Sequence, residues 1–170
     1  MNLPDLVRAL VEDAHRIDNN PLHPNQPACG TPIEHVSGRI SISTIAALRR
    51  PNALQAPDTA LLCLTSANEA CSLTSLTGTA GDSSTPKALY IPTPDGKKGQ
   101  RHFLTTVLPR SMPFLQHHLL HHCTVCIACS TGTDMSVGVA VAALALFFRP
   151  DGSFCEQGNA CDDLCTCRNV

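Results

Sequence analysis

The chain has 170 residues, enough for one domain with a real core. Its net charge of −2 excludes a global basic field drawing it to nucleic acid or membrane, and 4% aromatics with no Trp argue against extensive base stacking. Positive charge is local instead, in "RR" at 49–50 and "KKGQRH" at 97–102.

In chain order, residues 3–17 place Leu3, Leu6, Val7, Leu10, Ala14 and Ile17 at helical spacing. This N-terminus is amphipathic and lacks the apolar stretch of a secretory leader. The ten cysteines therefore read as reduced thiols, and the expected location is the cytoplasm. Residues 18–35 read as a linker, inside a proline-rich stretch of turn formers that runs to residue 38. "RISIS" (39–43) alternates like a strand, and "TALLCLT" (59–65) is the continuous apolar run of a strand buried on both faces. Residues 66–86 are rich in Ser, Thr, Ala and Gly and read as loose. "ALYIPT" (88–93) is a short strand stopped by Pro92 and Pro94.

Residues 103–122 carry a helical stripe of Leu104, Leu108, Met112, Leu115 and Leu119, which stays in phase across Pro109 and Pro113. A strand over 123–129, a loop over 130–135 and a helix over 136–148 follow, and Pro150 ends the helix. The apolar run Met135–Phe148 is shorter than the ~18–20 residues that span a bilayer, so it reads as a core helix and no membrane partner is expected. The Cys-rich tail, 155–170, has no apolar period and reads as unstructured. Strands alternating with helices predict an α/β domain over 36–154 with a mainly parallel sheet. Sites in such sheets lie at the carboxyl ends of the strands, which is where 129–135 falls.

"CSTGTDMSVG" (129–138) has the layout of a phosphate loop. A cysteine ends a strand, Gly132 permits a tight turn, and a helix begins. Helix N-termini carry about half a positive charge and free N–H groups, so the loop Ser130, Thr131, Gly132, Thr133, Asp134, Met135 and Ser136 is a candidate anion nest. A cysteine facing it, Cys129, would be partly thiolate. Cysteine phosphatases place an arginine six residues after that cysteine. This chain has Met135, which cannot grip phosphate bidentately. The residue before the cysteine, commonly His, is Ala128, and Asp134 adds a negative charge. "YIPTPDG" does supply Asp95 where such enzymes keep a general acid. Cys129 and Asp95 are thus candidate catalytic positions in a degenerate site.

Taken together, "PDGKKG" (94–99) and "CSTGTDMSVG" (129–138) make the stretch 88–154 resemble the C-terminal, dual-specificity-phosphatase-like domain of initiator tRNA phosphoribosyl transferase. "GRISISTIAALRRP" (38–51) extends the likeness more weakly. The resemblance implies a dual-specificity-phosphatase-like sheet flanked by helices, and a hydrophobic residue at position 135. It also implies the family's reaction: a phosphoribosyl group passes from phosphoribosyl pyrophosphate to a ribose 2′-oxygen of initiator tRNA. The family enzyme is longer, and its larger N-terminal region is expected to carry the transfer. This chain therefore reads as a fragment: the accessory domain, with residues 1–17 a remnant of a preceding domain. The alternative is an inert or weak phosphatase-like phosphate binder.

Lys97, Lys98 and Arg101 are candidate RNA contacts, since such side chains supply the salt-dependent part of RNA binding. His117, His118, His121 and His122 with Cys123 and Cys126 have metal-like spacings. The histidines also fill the helix face opposite the leucines, and Cys126 belongs to a core strand, so no metal and no resident cofactor is expected.

Overall fold

The computed structural model describes residues 30–49, 58–65, 87–94 and 97–155. The expected N-terminal helix, the segment 66–86 and all but Cys155 of the tail lie outside them. Five strands form one mixed sheet in the order β1-β2-β5-β3-β4. They are β1 (Thr31–Pro32), β2 (Ile40–Thr44), β3 (Thr59–Thr65), β4 (Ala88–Pro92) and β5 (Thr124–Cys129). All neighbours are parallel except β1, which runs antiparallel to β2. The two-residue β1 falls in the stretch expected to be linker, so the sheet begins before residue 36. Its pairing follows a tight turn: Ser37 and Gly38 both take positive φ, and Ile33 N–H donates to Ile40 O.

β5 is central, and its residues Val125 to Ala128 are fully buried. Strand alternation sends Val125, Ile127 and Cys129 to one face and Cys126 and Ala128 to the other. The first face packs under α3 (Leu108–Leu120) and α4 (Met135–Phe147) through Leu115, Leu119, Val139, Ala140 and Ala143. Burying a Leu or Ile of this kind contributes roughly 1.5–3 kcal/mol. The second face packs under the short α1 (Ile45–Leu48), whose Thr44 cap accepts from Ala47 N–H at 3.1 Å. α1 was not legible as a helix in its four residues.

The long helix differs most from expectation. It starts at Lys97 rather than 103, as α2 (Lys97–His102), widens into a π turn over Phe103–Val107, and continues as α3. The π turn ends two residues before Pro109, which cannot donate to Thr105 O and would crowd it in a regular helix. Widening also shifts the phase. Leu104, expected in the apolar stripe, is 65% exposed, and Val107 is buried in its place. One further correction follows in α3. His118, expected on the solvated face, is buried and lies edge-on to Phe114 with centroids 4.5 Å apart. Ser111 is fully buried as well, and its hydroxyl has no hydrogen-bond partner among the described residues.

Gly138 explains how the π turn and α4 approach. A Cβ there would lie 2.8 Å from Cζ of Phe103, so glycine makes room for the ring. At the other end of the sheet, Arg39 donates to Leu119 O at the C-terminus of α3 and lies 4.6 Å from the Phe154 ring centroid. Burial lowers its guanidinium pKa. The "RPDGSF" turn (149–154) is closed by Gly152 N–H to Arg149 O and by Ser153, whose N–H and hydroxyl both donate to Asp151 Oδ1.

Candidate functional site

The parallel register brings the ends of three strands together. Thr44 of β2 and Leu64 of β3 flank Cys129 of β5. The chain then turns through 130–134 into α4. Gly132 makes the turn possible at φ +73°, and a Cβ there would sit 3.0 Å from Thr44 Cγ2. The small backbone is therefore needed for conformation and for space.

Cys129 is 4% exposed, and its sulfur is surrounded by donors. Gly132 N–H points at Sγ at 3.1 Å, Ser136 Oγ lies at 3.1 Å and Thr131 Oγ1 at 3.7 Å. Burial pushes the thiol up. Hydrogen bonds from the Ser136 hydroxyl and N–H, the Thr131 hydroxyl and the Gly132 N–H outweigh it, and the pKa lies below the ordinary thiol value. The loop thus favours negative charge at the sulfur. Part of its N–H supply is already spent: Gly132 on Sγ and Thr133 on Thr131 Oγ1 at 3.3 Å. Ser130, Thr131, Thr133 and Asp134 are exposed around the rim. Asp134 caps α4 without a side-chain bond to its N–H groups and accepts from Thr131 Oγ1 at 3.4 Å.

Met135 is half-buried where a phosphatase would hold its arginine. A Cβ built on Gly99 would lie 3.1 Å from Met135 Cε and 2.8 Å from Pro94 O. The methionine therefore packs on the first turn of α2, an apolar contact at the position where a phosphatase has its guanidinium. Sequence reading placed Met135 but not Gly99. The signal was the second glycine of "PDGKKG".

The structure brings the loop 129–136 and the start of α2 side by side. Asp95 lies outside the described residues. Lys97 and Lys98 are placed on the first turn of α2 by their backbone only, and Arg101 is exposed on the same helix. His102 was missed: its ring Nε2 bonds Pro92 O at 2.9 Å and ties α2 to the end of β4. Thr93 N–H donates to Thr65 O and extends the ladder beyond Pro92. No sequence pattern marks these two ties.

Among the described residues no three His, Cys, Asp or Glu side chains converge as metal ligands, and no helix is long and apolar enough to cross a membrane. Comparison with curated proteins and with solved structures gives no significant match. Residues 87–165 match a family model described as the Rit1 DUSP-like domain. That stretch contains α2, the π turn, α3, β5, the Cys129 loop and α4. On this match, and on the two motifs that meet at Gly99 and Met135, the stretch resembles the DUSP-like domain of initiator tRNA phosphoribosyl transferase.

Proposed function

We propose that this chain is the accessory, phosphatase-like domain of an initiator tRNA phosphoribosyl transferase, working in the cytoplasm, and that its part is to position the RNA. One observation carries the reading. The Gly132 N–H and the Ser136 hydroxyl gather around Cys129 Sγ ahead of a helix N-terminus, and Met135 packs on Gly99 at the clamp position. A loop built this way stabilises an anion without the arginine that activates phosphoryl transfer. Transfer itself is assigned to the larger N-terminal region of the family, together with phosphoribosyl pyrophosphate as donor. The sequence shows no acidic run followed by a glycine-rich turn that would cradle that donor. Lys97, Lys98 and Arg101, at the start of the helix that meets the loop, are the assigned RNA contacts.

The test is binding of an initiator tRNA transcript as salt is raised. Affinity should fall steeply, and Lys97→Glu with Lys98→Glu should flatten the slope by about one unit for each lost phosphate contact. Salt-insensitive binding, or a slope unmoved by the pair, would remove RNA positioning from this end of the domain. A second reading, a phosphate-binding module with no RNA role, draws on the donors around Sγ. It gains ground only if inorganic phosphate raises the melting temperature, Gly132→Val abolishes that rise, and tRNA does not bind.

A further inference from the structure

The chain carries no Asp or Glu between Asp95 and Asp134, although Lys97, Lys98, Arg101, Arg110 and five histidines fall there. This interval spans the continuous helix from Lys97 to Leu120, its exit turn, β5 and the start of the Cys129 loop. A solvated helix face normally mixes signs, because i, i+4 pairs of opposite charge stabilise it. Here Arg101 and Arg110 are exposed among uncharged residues such as Leu104, Thr105, Pro109 and Pro113, and His121 and His122 are exposed at the exit turn. Arg110 and His117 stand at i and i+7 on α3, and His121, the residue that caps its C-terminus, follows on the same side at i+11. The His117 and His121 rings lie tilted to one another with centroids 4.4 Å apart, and His121 Nδ1 bonds His117 O at 2.7 Å. Histidine carries no negative charge at any pH, so the line never repels an anion. At a rise of 1.5 Å per residue, Arg101 to His121 is roughly 30 Å. The strip ends near Asp58, whose carbonyl accepts from Thr124 N–H.

The geometry points to a second RNA surface along this helix: beyond Arg101, Arg110 with the His117–His121 line seats the phosphate backbone of a folded RNA that leaves the Cys129 end of the sheet. This deepens the RNA reading and rests on it. Charge complementarity selects the occupant. A long helix whose charged side chains are all basic matches a repeating line of phosphates. Its apolar content does not match a protein interface, since Leu104 and Leu120 are the exposed large apolar side chains there and stand sixteen positions apart. The same sparseness argues against a membrane surface, which needs a continuous apolar face.

The experiment follows binding of a fluorescein-labelled RNA stem-loop to the full chain by anisotropy between about 50 and 200 mM salt. Arg110→Gln and Arg110→Glu are compared with Lys97→Glu/Lys98→Glu. Arg110 is exposed, and thermal melts verify that both variants fold. Each Arg110 variant should weaken binding and reduce the magnitude of the log–log salt slope by about 0.9, one phosphate contact. If both leave affinity and slope unchanged while the lysine pair reduces them, the second surface is wrong and the loop-end reading stands. If Arg110 matters and the lysines do not, the surface stands and the loop-end assignment falls. Absence of RNA binding at the lowest salt overturns both. If phosphatidylserine vesicles or polyglutamate compete through Arg110 as well as unlabelled RNA does, the RNA assignment is overturned.

Discussion

Cys129 and Met135 set the chemistry of the loop in opposite directions. Ser136, Thr131 and Gly132 lower the thiol's pKa, so the thiolate should appear at a lower pH than that of an ordinary cysteine. The thiolate absorbance lost in Cys129→Ser isolates this group from the other cysteines. In Ser136→Ala, which removes a donor at 3.1 Å, the titration should move upward in pH. A midpoint that stays put would show that Ser136 only packs there. Met135 works against catalysis. A preorganised donor to a transition state commonly contributes a factor of order 10²–10³, so turnover of an aryl phosphate should be negligible. Met135→Arg should not restore it, because the methyl group packs closely against Gly99. Robust activity in that variant, lost with Cys129→Ser, would show the clamp position to be open. Gly132→Val should cost about 1–3 kcal/mol in a denaturant melt, from positive φ and crowding against Thr44.

Elements built on a clean period were legible in the sequence, and elements shaped by tertiary packing were not. β3 matches its apolar run residue for residue, and β5, α4 and β4 each fall within one residue of expectation at either end. The helix beginning at Lys97 was read too late because its first turn is glycine-containing and polar. No residue-level period encodes the π turn that follows. It becomes intelligible only with Pro109 below it and Gly138 opposite Phe103. Two variants test this element. Gly138→Val should destabilise by about 1–3 kcal/mol, as a branched side chain meets the Phe103 ring. Ser111→Ala should stabilise by about 1 kcal/mol, since it removes a buried hydroxyl without a partner. A loss of stability there would mean that the hydroxyl is satisfied in solution.

On the scale of the whole molecule, one end of a parallel sheet gathers the ends of β2, β3 and β5 under the Cys129 loop, with α2 beginning alongside. The cysteine, the glycine turn and the missing arginine could be placed from spacing alone. That Met135 closes on Gly99 could not, because the two lie 36 positions apart in sequence and meet only through the fold. Residues 87–165 match the DUSP-like family model, and the donor chemistry of the proposed reaction is assigned elsewhere. The central proposal is a division of labour, in which this domain holds RNA and does not transfer. The most direct measurement supplies the full chain alone with labelled phosphoribosyl pyrophosphate and unmodified initiator tRNA, then follows label on the RNA. The account predicts tRNA that is bound and stays unlabelled. Ribosyl phosphate appearing on the tRNA with this chain alone would contradict it and place the transfer site within these residues.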